Sequence, residues 1–393
     1  MFHYTRWPDH GVPDPLSIVI FHQHVIRVSE FSRGKYILVH CSAGIGRTGT
    51  YIGLDALYRE GLESGKINVP KYVEIMRKDR MNMIQGHDQY KVVYLALNES
   101  FRGKWKCLST DQFLQEYQGT FYGNTSKSQL HSDFKELIAI KRKFSANDFD
   151  TGRSNMEANF TISVLPVEEY MCRLAYVKDR GTYYNAVCLQ AFTSNDSLIS
   201  AQFPLPDYTE DFLRLLKDFS VHTVVFMCPL RDIKSSALWF PFHKREKKVG
   251  PFSIKFIDST SAINITRTNI VLTKEGSSGT RLTVLECTAW KEAMSSLDHR
   301  VLLDVVKETQ IEELPSETKI LILSSDGAKR CGPFCVVYNA LQQISLDKEV
   351  DVFTITRLLQ IRRPEFISTL DEYQLCHDAL TEYLQNDTVY ANC

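Results

Sequence analysis

No stretch of this 393-residue sequence stays apolar for long. The longest runs, such as 36–39 and 223–228, fall far short of the ~18 residues that suggest a membrane span. Neither charge sign is in excess: 46 Lys and Arg face 47 Asp and Glu, a formal net charge of -1. That balance excludes a broad electrostatic footprint for nucleic acid or an anionic membrane, while leaving room for a local basic pocket. The ten cysteines lack framework spacing and read as reduced thiols rather than a disulfide scaffold. The opening MFHYTRWPDH has no basic start followed by an apolar stretch, so no secretory signal is read there. What is present, 44% hydrophobic and 24% charged residues, is globular composition with enough length for two or three domains.

The chain repeats itself. A shift of 283 positions, with no gap, lays Thr5 and Trp7 on Thr288 and Trp290, and Ile37 and Leu38 on Ile320 and Leu321. It also lays Gly44, Arg47 and Gly49 on Gly327, Arg330 and Gly332, and Ile84, Asp88 and Tyr90 on Ile367, Asp371 and Tyr373. The repeated unit is a whole domain, since the period is too long for a solenoid. Residues from about 130 to 284 precede the repeated part of the second copy and have no counterpart in the first. The expectation is two tandem copies, the first incomplete: residues 1–106, a linker at 107–130, and a second domain at 131–393. The Gly-, Ser-, Thr- and Asn-rich stretch 119–133 reads as linker, 134–144 as the helix opening the second domain, and 145–160 as a polar loop.

Each copy mixes helix and strand. Tyr36–His40 reads as a short strand, followed by a Gly-rich turn and a helix over 47–60 that stops at Gly61. In the second copy 211–219 reads as a helix feeding a strand at 223–228, with another strand at 319–323. This pattern predicts an α/β (α+β) fold, a sheet flanked by helices.

The informative segment is 39–49, VHCSAGIGRTG. Between a strand end and a helix start, Ser42, Ala43, Gly44, Ile45 and Gly46 can turn several amides toward one point and make an anion nest. The helix adds its positive end, and Arg47 can clamp two phosphoryl oxygens in a planar fork. Cys41 sits at the mouth of this nest, where helix dipole and guanidinium lower a thiol's pKa and make it a nucleophile toward phosphorus. Asp9, in a loop of Trp7, Pro8 and the following His10, Gly11 and Pro13, is the candidate proton donor on a mobile flap. Gln85 is the candidate water positioner, with Gln89 supporting it one turn later. Trp7 is read as an anchor of its loop.

These three segments, Trp-Pro-Asp, His-Cys-x5-Arg-Thr and Ile-Gln, in this order, resemble the protein tyrosine phosphatase family. The Cys-x5-Arg loop alone would also fit dual-specificity, lipid or low-molecular-weight phosphatases or a rhodanese-like domain; the other two motifs favour the tyrosine-specific type. The resemblance implies that family's fold, a central mixed twisted sheet flanked by helices. It also implies hydrolysis of phosphotyrosine on proteins through a cysteinyl-phosphate, without metal or cofactor. Cys41 would be nucleophile, Arg47 phosphate clamp, Asp9 acid then base and Gln85 the orienter of water. His40 and Thr48 would tune the thiolate and assist its departure.

The second copy resembles the same family along its length, through Tyr184-Asn185-Ala186 and 201–212, but without its chemistry. The shift puts Glu292 at the acid, Lys291 at the loop proline, Leu323 at the His, Ser324 at the nucleophile, Cys331 at Thr48, Ser368 at Gln85 and Glu372 at Gln89. A serine has no comparable route to ionisation, so this copy is expected to be a pseudophosphatase. Arg330 is expected to tie a loop together rather than bind phosphotyrosine. Thr161 stands where the family has a substrate-stacking Tyr, and 244–248 reads as a solvated loop. Two tandem domains with the second degenerate resemble the cytoplasmic region of a single-pass receptor-type tyrosine phosphatase; a chain complete as given would be cytosolic. Phosphotyrosine proteins are the expected partners, with contact to another phosphatase domain as a further expectation and none to nucleic acid. The competing reading is a non-catalytic phosphotyrosine-binding or phosphatase-interacting scaffold.

Overall fold

The computed structural model describes residues 1–8, 11–29, 34–103, 105–117, 124–242, 246–291, 298–310 and 318–391. The chain divides into two compact units, Met1–Trp105 and Lys106–Cys393.

Unit 1 is built from four helices, α1 (Pro15–Ser29), α2 (Gly46–Ser64), α3 (Val69–Asp79) and α4 (His87–Arg102). Ile18 and Val19 of α1, Leu54 and Leu57 of α2, Val73 and Met76 of α3, and Val93, Ala96 and Leu97 of α4 share one core. The helix-period spacing of these residues is what lets one face of each helix bury together. The helix after the Gly-rich loop continues past the expected stop at Gly61. It ends where Gly65 takes a left-handed conformation and its amide bonds the Gly61 carbonyl, as a C-terminal glycine cap does.

Tyr36–His40, expected as a strand, is irregular, with Tyr36 at 106%, Ile37 at 55% and Leu38 at 88% exposure. The reason is pairing. A strand needs neighbours for its backbone groups, and unit 1 has no strand among the described residues.

Unit 2 begins with β1 (Leu108–Ser109), α5 (Thr110–Tyr117), α6 (Asn124–Ala139) and α7 (Asp150–Ser154). It continues through β2 (Ala186–Leu189), β3 (Leu198–Gln202), α8 (Thr209–Asp218), β4 (Val221–Phe226) and α9 (Ser236–Trp239). Then come β5 (Lys247–Val249), β6 (Phe252–Ser261), β7 (Ile265–Lys274), β8 (Thr280–Cys287), α10 (His299–Glu308) and β9 (Lys319–Ser324). The last elements are α11 (Cys331–Asp347), β10 (Glu349–Val350), α12 (Val352–Arg362) and α13 (Leu370–Ala391).

Three expectations change here. The stretch 107–130 read as linker holds α5 and the first part of α6, and its Phe113, Leu114, Tyr117 and Leu130 are buried in the core of unit 2; apolar spacing outweighs the polar composition. The polar loop 145–160 is a run of short helical turns, including α7. Of the charge run 244–248, residues 244–245 lie outside the described residues, and Lys247 and Lys248 belong to edge strand β5.

An eight-stranded mixed sheet in the order β2-β3-β9-β4-β8-β7-β6-β5 forms the centre of unit 2. The four strands β3, β9, β4 and β8 run parallel, and the flanks are antiparallel. Alternate side chains of β9 enter opposite cores, Ile320 and Ile322 with α10, α11, α12 and α13 on one face, Leu321 and Leu323 with α8 and Trp239 on the other. A central parallel strand buried on both faces reads as an unbroken apolar run, and KILIL is one. Leu321→Ala should therefore cost ~2–5 kcal/mol of unit 2 stability, read as a lower denaturant midpoint in the fluorescence of the buried Trp239 and Trp290.

Candidate active site

The loop between His40 and α2 is shaped by one backbone demand. Gly44 has φ of 69°, a left-handed conformation that costs other residues energy, and an added Cβ there would come 3.3 Å from the Arg80 guanidinium. Arg80 Nη2 donates to the Ala43 carbonyl at 3.0 Å, holding the bend from outside. With the chain so turned, the Gly44 amide points at Cys41 Sγ, 3.3 Å away.

The sulfur is half-buried. Burial by itself works against its charge; the Thr48 hydroxyl and the amides of Thr48, Gly44 and Ile45 outweigh it and draw the thiol down to about 7. The Thr48 hydroxyl, itself buried, is the strongest of these lowering influences. Stabilising the anion by several donors at a helix start is the general route to a reactive thiolate.

A second loop is latched onto the first. The Ile84 amide donates to the Ile45 carbonyl at 3.1 Å, and Ile84 itself has φ of 58°. Arg77 donates from Nε to the Met83 carbonyl and from Nη2 to the Ile84 carbonyl, each at 3.0 Å. Gly49 admits this contact, because a Cβ there would lie 2.6 Å from the Ile84 nitrogen. Gln89 Oε1 accepts the Gln85 amide at 3.1 Å, and the same Gln89 amide group lies against Gly46. Gln89 thus fixes the loop that carries Gln85, whose side chain is exposed.

The third segment reaches the same place. Arg47 Nη2 donates to the Pro8 carbonyl at 3.3 Å, and its guanidinium carbon lies 5.9 Å from the Trp7 ring centroid. Trp7 Nε1 donates to the Gly11 carbonyl at 3.3 Å, bridging the loop that contains Asp9. Asp9 and His10 lie outside the described residues. Ser42, Ala43, Arg47 and His40 are exposed, and Gly46 and Thr48 are buried. Arg77 and Arg80 were not singled out from sequence; the 283 shift held a signal, since it lays Arg80 on Arg363.

The matching loop of unit 2 repeats this backbone and fills it differently. Gly327 has φ of 71° and Ile367 has φ of 50°, against 69° and 58° at the shifted positions Gly44 and Ile84. Gln360, 283 residues after Arg77, donates to the Phe366 carbonyl at 2.8 Å. Glu372 accepts the Ser368 amide at 2.7 Å, as Gln89 accepts that of Gln85.

Ser324, however, is 1% exposed, and its Oγ faces the Asp326 carboxylate at 3.3 Å. Asp326 Oδ1 also accepts the amides of Ala328 at 2.8 Å and Lys329 at 3.1 Å. A carboxylate of the loop itself occupies the donors that turn inward. Arg330 points away from them: Nη1 donates to the carbonyls of Met227 at 2.8 Å and Trp290 at 2.9 Å, and Nη2 to that of Lys291 at 2.9 Å. Ser368 is exposed, Thr161 bonds Ser163 at 2.9 Å, and Glu292 lies outside the described residues.

The chain belongs to the protein-tyrosine phosphatase family, whose sequence model matches residues 1–99 and 155–382. It is 28% identical over 404 residues to receptor-type tyrosine-protein phosphatase alpha of Mus musculus, covering 100% of this chain and 48% of that protein. To the epsilon receptor of Homo sapiens it is 26% identical, covering 99% of this chain and 57% of that protein. To the zeta receptor of Rattus norvegicus it is 25% identical, covering 96% and 16%. The chain spans about half the length of the alpha relative. No helix among the described residues is long and apolar enough to cross a membrane.

The donors converging on Cys41 set a measurable acidity. Alkylation of Cys41 by iodoacetamide should reach half its limiting rate near pH 7, the thiolate being present above that pH and lost below it. In Thr48→Ala the midpoint should rise toward the ordinary ~8.5; an unchanged midpoint would remove Thr48 from the account.

Proposed function

We propose that unit 1 hydrolyses phosphotyrosine in proteins through a cysteinyl-phosphate. The observation that carries this reading is the sulfur of Cys41, held just before α2 by the Gly44 amide and drawn toward its thiolate by the donors of Thr48, Gly44 and Ile45. The thiolate attacks phosphorus, an S–P bond forms, and the tyrosyl oxygen leaves with a proton from Asp9. Arg47 forks two nonbridging oxygens while the amides of 42–46 take the rest of the charge. Water oriented by Gln85, its proton passing to Asp9, then cleaves the S–P bond, and Thr48 stabilises the departing thiolate. Hydrogen bonding of Arg47 to the Pro8 carbonyl supports a Trp7 loop that closes over this clamp.

Unit 2 is, on this proposal, a second copy of the phosphatase domain that performs no hydrolysis and serves a regulatory or structural role. The occupied nest around Asp326 is the support for it, together with the absence of a thiol at Ser324. By likeness to receptor-type relatives, we infer that the chain works on the cytoplasmic side of a membrane receptor, with phosphotyrosine proteins as substrates.

Hydrolysis of a small aryl phosphate by this chain should fall to background in Cys41→Ser and drop ~10²–10⁴-fold in Asp9→Ala. Equal rates from the chain and its Cys41→Ser form would sink the enzyme reading and favour a binding scaffold.

In the Cys41→Ser background, Ser324→Cys should restore no turnover, because Asp326 holds the loop's donors. Turnover from that double variant would refute the occupied-nest account.

A further inference from the structure

Cys172 and Cys188 of unit 2 take no part in either loop, yet their sulfurs lie 3.2 Å apart. Their spacing follows from the strand pairing. Met171 bridges Val187 in antiparallel sense and the Cys172 amide donates to the Ala186 carbonyl at 3.0 Å. Cys188 is therefore the diagonal neighbour of Cys172 on one face of the pair, within side-chain reach. A disulfide needs ~2.05 Å between sulfurs, about one ångström less than the separation here.

The two thiols differ in the way a sensor pair does. Cys172 is fully buried at 1% exposure, and Cys188 is half-buried. Burial pushes the Cys172 thiol far above its usual value. The hydrogen bond from Cys172 lowers that of Cys188, against burial; Lys319 and Arg362 lower it further, and Asp196, ion-paired to Arg362, works the other way. Arg362 Nη1 also donates to the Cys188 carbonyl at 3.1 Å, which keeps that charge beside the residue. Two sulfurs in van der Waals reach, one less buried and more acidic than the other, are the arrangement in which one is oxidised and the other resolves it.

We propose that Cys172 and Cys188 form a reversible disulfide when the chain meets hydrogen peroxide. Cys188 sulfur attacks one peroxide oxygen; an S–O bond forms, the O–O bond breaks, and hydroxide leaves and takes a proton as water. Cys172 sulfur then attacks the Cys188 sulfenic acid. The S–S bond forms, the S–O bond breaks, and the departing hydroxide takes the Cys172 proton as a second water. The two thiols lose two electrons and peroxide is reduced to two waters. A dithiol reverses the step.

The test is non-reducing tryptic mapping of the whole chain after treatment with hydrogen peroxide, carried out in a Cys41→Ser form so that Cys41 cannot supply the partner sulfur. The expected result is a linked pair of peptides, 154–173 with 181–214, two hydrogens lighter than the separate peptides and lost on adding dithiothreitol. Both Cys188→Ser and Cys188→Ala should abolish the pair and leave Cys172 fully alkylatable in denaturant. The proposal fails if both thiols alkylate completely after peroxide at a dose that oxidises Cys41 in the unmodified chain. It fails equally if Cys188 accumulates as sulfinic acid unlinked, or pairs with any cysteine other than Cys172.

Discussion

Inward-turned amides at a loop before a helix must face a negative atom, and the rest of both sites is arranged around which atom that is. In unit 1 it is Cys41 sulfur, drawn toward its thiolate by the Thr48 hydroxyl and by the amides of Thr48, Gly44 and Ile45. In unit 2 it is the Asp326 carboxylate, taking Ala328 and Lys329. Neighbouring donors without a partner would be costly. Asp326 stands at the position that the 283 shift lays on Ala43.

The supporting shell has been kept or replaced position by position. Arg80 holds the first loop by the Ala43 carbonyl, and Arg363, its shifted counterpart, is wholly buried with Nη1 on Asn185 at 2.9 Å. Arg77 and Gln360 bond equivalent carbonyls through different donors. The two loops thus share their backbone turns and differ in the side chains that fill them. The two loop arginines differ in the same way: Arg47 is exposed and donates to the Pro8 carbonyl, whereas Arg330 is buried and committed to three carbonyls from distant segments.

Much of this fold is legible in the amino-acid sequence. The motif loops, the parallel-strand runs at 223–228 and 319–323 and the amphipathic helix near 211–219 all fell within a few residues of their elements, because each carries its own periodicity. The failures have a common cause. Tyr36–His40 has strand composition without strand partners, and 107–133 has linker composition but buries Phe113, Tyr117 and Leu130. Whether such segments are ordered depends on what lies across from them, which local pattern does not carry.

Sequence alone determined which atoms are available: a thiol at position 41, a hydroxyl at 324, a guanidinium six residues after each, and a repeat that relates them. Covalent identity and spacing are local properties of the chain. Tertiary structure alone decided that Asp326 turns inward, that Arg330 faces Met227, Trp290 and Lys291, and that Cys172 meets Cys188. Those outcomes rest on strand register and long-range packing, where contacts between residues far apart in sequence choose among rotamers that the sequence leaves equally open.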